Sequence, residues 1–117
     1  RSAKDSPAKR IAKLRNEMKT SVRRDDTSGF LRAATGAIRE HVGTMIDHEF
    51  PEALAKDEIL NILRKNKASE ETISGIQMVM EIADAREFAA AHEEKLPLKD
   101  WFSRVKSLLK HIKPLRA

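Results

Sequence analysis

Cysteine and tyrosine are both absent from the chain, and only five of its 117 residues are aromatic. Without cysteine the chain has no disulfide, no thiolate nucleophile and no cysteine-based zinc site, which fits a reducing compartment. Most of the aromatic residues fall on apolar faces of predicted helices, so a surface of rings that stack on bases is not expected. They are Phe30, Phe50, Phe88, Trp101 and Phe102.

Long apolar runs are also missing. No run approaches the roughly 20 residues that span a bilayer, and no signal-peptide core is present. Neither strand alternation nor a hairpin dipeptide occurs. What remains is a chain that is 40% hydrophobic and 35% charged, a balance typical of a single domain of amphipathic helices. Since the chain does not begin with Met, we expect it to be a piece of a longer protein.

Charge is divided unevenly along the chain. Residues 1–26 carry nine Lys or Arg against four Asp or Glu, and residues 95–117 carry seven against one. The middle, residues 27–94, carries seven against thirteen. Two basic ends therefore enclose an acidic middle, a pattern that indicates a charged surface or partner.

The first helix is marked by its cap and its apolar spacing. Ser6 followed by Pro7 predicts a helix start, and residues 1–5 are expected to form a flexible tail ahead of it. The helix is expected to end near Arg24, before two aspartates, of which Asp26 (or else Thr27) caps the next helix. Its apolar residues recur every three or four positions at Ile11, Leu14, Met18 and Val22.

A second helix, at about 27–46, is predicted to be the centre of the domain. Its apolar side chains fall within about 40° of one line at Leu31, Ala34, Ile38, Val42 and Met45. On another side Gly29, Gly36 and Gly43 recur every seven residues. Because each interior glycine lowers helix stability by roughly 1 kcal/mol relative to Ala, this face favours the close approach of another helix or a partner. A solvated face is the alternative.

The rest of the chain predicts three or four further helices, which gives an all-α bundle of five or six in one domain from 6 to 117. After a loop at 47–55, in which Phe50 and Leu54 are expected to turn inward, a short helix is predicted at about 56–65. Ser69 is expected to cap the next helix. A fresh capping pair at Asp84 and Glu87 predicts a kink followed by a short offset helix. The last predicted helix runs from Pro97 to Pro114.

Histidine is the only residue type that suggests a metal or enzyme site. The candidates are His41, His48 and His92, each near acidic residues, but none shows the spacing of a zincin or a di-iron site. No Gly-rich phosphate loop and no grouped Ser, His and Asp are present. The sequence therefore predicts no cofactor and no catalysis. The three histidines are the only feature that would favour an enzyme.

Basic side chains form a stripe on each terminal helix. The last helix carries Lys99, Lys106, Lys110 and Lys113 opposite its apolar side, and the first carries Lys9, Arg10, Lys13, Arg15 and Lys19. With a sequence pI near 9.7, these stripes meet the first criterion for nucleic-acid binding. However, no basic recognition helix is evident. A basic first helix equally fits a segment beside an anionic membrane, and the bland alternative is a solvated helix face.

The chain resembles one known family. The residues that carry the resemblance are Phe30-Leu31-Arg32-Ala33-Ala34, Ile38-Arg39, Ser69-Glu70-Glu71-Thr72-Ile73 and Glu87-Phe88-Ala89. This order of elements is similar to the cytoplasmic C-terminal domain of the BatD-type aerotolerance (oxygen-tolerance) proteins. In that family a basic juxtamembrane helix precedes a helix of this kind, a short helix, a Ser-Glu-Glu-Thr-like cap and a longer helix.

The resemblance implies a bacterial membrane protein with one membrane span ahead of Arg1. It implies a location on the cytoplasmic face of the inner membrane, with von Willebrand-type Bat proteins and a MoxR-type AAA+ ATPase as partners. We therefore expect a non-catalytic protein-interaction domain of a stress-tolerance protein. In this hypothesis the first helix faces anionic lipid, and the acidic middle and the basic stripe of the last helix offer docking surfaces of opposite charge. The glycine face is a further candidate surface for a partner. The alternative is a basic helical domain that binds nucleic acid.

Overall fold

The structure, a computed structural model, describes residues 6–88 and 96–112. Five α-helices and one 3-10 turn form within these ranges, and they contain no strand, so the prediction of an all-α bundle is confirmed. The predicted tail at 1–5 and the predicted stop at Pro114 lie outside the described residues. The elements are α1 (Pro7–Arg24), α2 (Thr27–Met45), the 3-10 turn (Pro51–Ala53), α3 (Lys56–Lys65), α4 (Glu70–Phe88) and α5 (Leu98–Lys110).

Capping side chains begin three of the helices, as the sequence predicts. Ser6 Oγ accepts a hydrogen bond from the backbone N–H three residues on, at 3.2 Å. Asp26 Oδ1 and Ser69 Oγ accept the equivalent bonds at 2.9 and 3.1 Å. Each bond satisfies an amide that the first turn of a helix leaves without an intrahelical partner. The boundaries of α1, α2 and α4 thus follow from local chemistry.

Helix α2 is the centre of the domain, because it contacts all four other helices and the 3-10 turn. Phe30, Ala34, Ile38 and Val42 are completely buried along it. The contacts of α1 and α4 fall on different sides of α2, and α1 and α4 make no direct contact with each other. Burial on several sides explains why α2 is apolar over so much of its circumference.

The loop after α2 corrects one prediction. Leu54 is buried as expected, but Phe50 is 42% exposed. The inward position is taken by its neighbour Pro51, which is buried and whose ring lies against Gly43 of α2. Phe50 is turned outward because the proline that follows it fills the available space.

Helix α4 corrects a second prediction, since it runs without interruption from Glu70 to Phe88. Asp84 therefore lies inside one continuous helix and does not begin a new one. The rest of the predicted offset helix, residues 89–95, lies outside the described residues.

Helix α5 lies across α2 and also contacts α1 and α4. The Phe102 ring meets the Phe30 ring of α2 edge to face, with centroids 6.4 Å apart. On the other flank of α5, Leu108 lies over Gly75 of α4, where a Cβ atom would come within 2.6 Å of Leu108 Cδ2. The glycine therefore permits the close approach of α5 to α4. These contacts fix the direction in which each side of α5 faces.

Candidate functional site

The basic side of α5 points away from α4. Leu108 faces α4, and Lys99 and Lys106 lie about 160–180° around the helix from it. The helix that carries them also contacts α1. Lys99, Lys106 and Lys110 are exposed over about 16 Å of helix. Lys113 lies outside the described residues.

Arg15 and Lys19 of α1 border the same seam. Arg15 is close enough to His41, on the α5 side of α2, to affect its charge, and Lys19 follows one turn later. Both side chains are exposed. We call this surface the basic face. Its members are Arg15, Lys19, Lys99, Lys106 and Lys110.

Three of the predicted basic residues of α1 do not belong to the basic face. Lys9 is exposed about 120° around α1 from Arg15. Arg10 is turned toward α2, where its Nε donates to Glu40 Oε1 at 3.0 Å. Glu40 is buried, and the pair therefore joins α1 to α2 instead of presenting a charge to solvent. Lys13 lines an open groove between α1 and α2 on the far side of α1. Helix spacing alone does not distinguish these directions.

One lysine and one arginine of α5 lie against aromatic rings, Lys106 on the basic face and Arg104 about 160° around the helix from it. Lys106 Nζ lies 4.5 Å from the centre of the Phe102 ring, and the Arg104 guanidinium lies 5.8 Å from that of Trp101. Such cation–π contacts are worth about 0.5–1 kcal/mol at exposed sites. They hold the charges at the surface, since both side chains remain exposed.

Across the loop after α2, α3 and α4 together, acidic side chains outnumber basic ones, although α3 also carries Lys56, Arg64 and Lys65. Within this group Glu81 is paired with Lys56 at 3.5 Å and accepts a hydrogen bond from Gln77 at 2.9 Å. The Gln77 bond and, to a smaller extent, Lys56 hold the pKa of Glu81 below its ordinary value. The exposed members are Glu49, Glu52, Asp57, Glu58, Glu70, Glu71 and Glu81. We call them the acidic side.

The glycine face is occupied from within the domain. A Cβ on Gly36 would meet Leu14 of α1 at 3.1 Å, and one on Gly43 would meet Pro51 at 2.6 Å. Gly29 lies against Asp26 and against Ser21 of α1. The close approach of another element accounts for the glycines at Gly36 and Gly43. The prediction that this face binds a partner stays a prediction.

The histidines do not come together in the structure. His48 Nδ1 accepts a hydrogen bond from the backbone N–H of Phe50 at 3.0 Å, and His92 lies outside the described residues. His41 is half-buried on α2, and burial and the charge of Arg15 lower its pKa. Its Nε2 atom is buried without a hydrogen-bond partner among the described residues. Across ranges 6–88 and 96–112, no three acidic or histidine side chains are grouped closely enough to hold a metal ion.

A groove between α2 and α4 is a second candidate site, which the sequence analysis did not identify. It has a volume of about 340 Å³ and is lined by three arginines, Arg32 and Arg39 of α2 and Arg86 of α4. The sequence signal that could have found it is the seven-residue spacing of Arg32 and Arg39, which places both on one side of α2. The contribution of α4 depends on the tertiary fold.

No known protein family, curated protein or solved structure matches the chain. No helix among the described residues is long and apolar enough to cross a membrane. The resemblance to the BatD-type proteins therefore stays a prediction.

Proposed function

We propose that this chain is a non-catalytic interaction domain that binds an anionic membrane surface through the basic face and protein partners through the acidic side. The observation that supports the proposal is the packing of α5 against α1. Lys99 and Lys106 come from the far end of the sequence, yet they are exposed on a helix that contacts α1, on the side opposite the α4 contact of Leu108. Two separate basic segments thus contribute to one surface.

The basic face has the features of a reversible electrostatic contact. Each Lys or Arg close to an anionic leaflet contributes about 1 kcal/mol, so five cations supply enough attraction to retain the domain. The attraction extends over roughly 8 Å at physiological ionic strength and weakens as salt increases. The aromatic ring beside these cations, Phe102, is half-buried in the domain. The attraction therefore depends on charge and not on insertion of a ring into the bilayer.

The acidic side supplies the surface for protein partners in this proposal. Its carboxylates lie on elements that make no contact with α1, so docking of α1 and α5 on lipid leaves them accessible. A partner with a basic surface would be attracted there and oriented on approach. By the resemblance alone, the parent is a BatD-type protein of the bacterial inner membrane, with a MoxR-type AAA+ ATPase and von Willebrand-type Bat proteins as partners.

Sedimentation with vesicles tests the membrane contact. We expect the domain to bind phosphatidylserine-containing vesicles at low salt and to leave phosphatidylcholine vesicles unbound. The double variant Lys106→Gln and Lys110→Gln removes about 2 kcal/mol and should weaken partitioning about 30-fold. The matched control is Arg64→Gln with Lys65→Gln, which removes the same charge from α3, away from the basic face. Equal losses in the two double variants would contradict the proposal.

The nucleic-acid alternative predicts a different result from the same variants. A domain that binds duplex phosphates would shift random-sequence duplex DNA at micromolar protein, with an affinity that falls steeply as salt increases. Duplex binding in the absence of vesicle binding would overturn the membrane proposal and support the alternative. Binding to vesicles alone would support the proposal as stated.

A further inference from the structure

The groove between α2 and α4 lies on the opposite side of α2 from α5. Arg39 is about 180° around α2 from Phe30, which contacts α5, so the groove and the basic face do not share a surface. Its volume of about 340 Å³ falls in the range of about 300–1,000 Å³ that is usual for small-molecule sites. The groove is therefore a separate site, and binding of lipid by the basic face does not account for its arginines.

Two guanidinium groups from α2 give the groove its charge. Arg39 is half-buried and fixed, because its Nε donates to the backbone oxygen of Leu54 at 2.9 Å. This bond uses Nε and leaves both Nη groups as donors. Arg32 is exposed two turns earlier on the same side of α2, and its long side chain can converge with that of Arg39 on one anion. Arg86 of α4 adds charge but has another interaction in the domain, so the assignment depends on Arg32 and Arg39.

The remaining lining is partly apolar. The apolar surface is formed by the half-buried Ala83 and the aliphatic stems of the arginines, while Leu31 and Met80 are only 2% exposed beneath it. Thr35 is buried beside them, and its hydroxyl donates to the backbone oxygen of Arg32 at 3.1 Å. The groove thus places fixed guanidinium donors next to an apolar surface. A bare inorganic ion would use the donors and leave that surface in water.

We propose that this groove binds a small organic phosphate monoester. In this arrangement the phosphate oxygens accept hydrogen bonds from Arg32 and Arg39, and the organic part covers the apolar lining around Ala83. A phosphate carries a charge of about −1.5 to −2 and offers three acceptor oxygens, which suits several arginines better than the single charge of a carboxylate. Three arginines and Asp84 together give the lining a net positive charge that matches this anion.

Phenyl phosphate is a suitable probe, because it combines the phosphate group with an apolar ring. Titration calorimetry at constant ionic strength should show phenyl phosphate binding at least about tenfold more tightly than either inorganic phosphate or benzoate. Equal binding of benzoate would overturn the assignment to phosphate. Equal binding of inorganic phosphate would overturn the role of the apolar lining, and absence of binding by phenyl phosphate would overturn the site.

Variants on the two helices locate the binding. Arg32→Gln should weaken phenyl phosphate about tenfold or more without a loss of stability, because the structure gives Arg32 no hydrogen bond through its side chain. Arg39→Gln should weaken it at least as much, although it also removes the bond to Leu54. Arg64→Gln on α3 is the matched control and should leave the affinity unchanged. Unchanged affinity in Arg32→Gln would contradict the proposal.

Asp84 provides a test in which the affinity for phenyl phosphate should increase. Of the described residues that line the groove, Asp84 alone is acidic, and its carboxylate repels a bound phosphate. Asp84→Asn should therefore tighten phenyl phosphate several-fold, a gain that damage to the fold would not produce. A weaker affinity in this variant would count against the proposal. Because the groove and the basic face lie on opposite sides of α2, the vesicle and phosphate experiments fail independently.

Discussion

His41 is an ionisable residue whose surroundings disfavour its charged form. It is a half-buried imidazole with a buried Nε2 atom that has no hydrogen-bond partner in the described part of the chain. Burial comes first among the causes that lower its pKa, and the positive charge of Arg15 comes second. Both effects disfavour the protonated ring in the folded state. The folded domain therefore keeps His41 neutral at a pH at which an unfolded chain would begin to protonate it.

The lowered pKa predicts a pH-dependent stability. Because the pKa of His41 in the folded state is below the ordinary value of about 6.5, the unfolded chain binds a proton there more readily than the folded domain does. The free energy of unfolding is therefore highest above pH 6.5 and falls as the pH falls below it. The loss can reach about 1.4 kcal/mol per pH unit for one group. Urea unfolding between pH 7 and pH 5.5 should show a falling free energy of unfolding. The variant His41→Leu should reduce the slope, and at pH 7 it should not be less stable, since it removes an unpaired buried nitrogen.

Val42→Ala is the control for this prediction. Val42 follows His41 on α2, is completely buried and cannot ionise. Its replacement should lower the free energy of unfolding at every pH and leave the slope of stability against pH unchanged. If His41→Leu and Val42→Ala alter the slope equally, the dependence does not come from the buried imidazole.

Among the elements, α2 shows how glycines set the distance between neighbours. Gly36 faces the flexible end of Leu14, whereas Gly43 faces the rigid ring of Pro51. A methyl group at Gly36 can displace Leu14 Cδ2 slightly and gains roughly 1 kcal/mol of helix propensity. A methyl group at Gly43 would lie 2.6 Å from Pro51 Cβ and would force the 3-10 turn to move.

The two glycines should therefore respond differently to the same substitution. Gly43→Ala is expected to lower the free energy of unfolding by about 1–3 kcal/mol through overpacking. Gly36→Ala should change it by less than about 1 kcal/mol, with stabilisation as the expected direction. Thermal or urea unfolding of both variants measures the difference. Equal effects would mean that Pro51 is not held against α2.

The elements also show which features a sequence can reveal. The starts of α1, α2 and α4 are predictable because Ser6, Asp26 and Ser69 bond to amides only three residues away. The central position of α2 is predictable because its apolar spacing leaves few exposed faces. The outward turn of Phe50 is not, since the sequence offers two adjacent apolar residues and only the contact between Pro51 and Gly43 decides between them. Asp84 has the spacing of a cap but lies within a continuous helix, because capping signals also occur inside helices.

In the molecule as a whole, the sequence predicts that charge is segregated but not where each charge points. Lys9 and Arg10 are adjacent and alike in charge, yet Arg10 pairs with buried Glu40 and Lys9 faces solvent. Pairs of this kind depend on residues far apart in the chain. The arginine groove has the same origin, because α2 and α4 together build a site that neither helix suggests alone. The sequence thus limits the kinds of surface, and the tertiary fold assigns residues to each one.

The arrangement of the whole molecule predicts one orientation on a membrane. Ser103 is exposed among the lysines of α5, and Ser74 is exposed on α4, on a different side of the domain. Because the chain contains no cysteine, Ser103→Cys and Ser74→Cys each provide a single attachment site for a fluorescent label. On phosphatidylserine vesicles, the label at Ser103 should be shielded from a water-soluble quencher, and the label at Ser74 should stay accessible. High salt should remove the shielding, since the attraction is electrostatic. Equal shielding at both sites, or shielding at Ser74 alone, would show that the domain does not bind through the basic face.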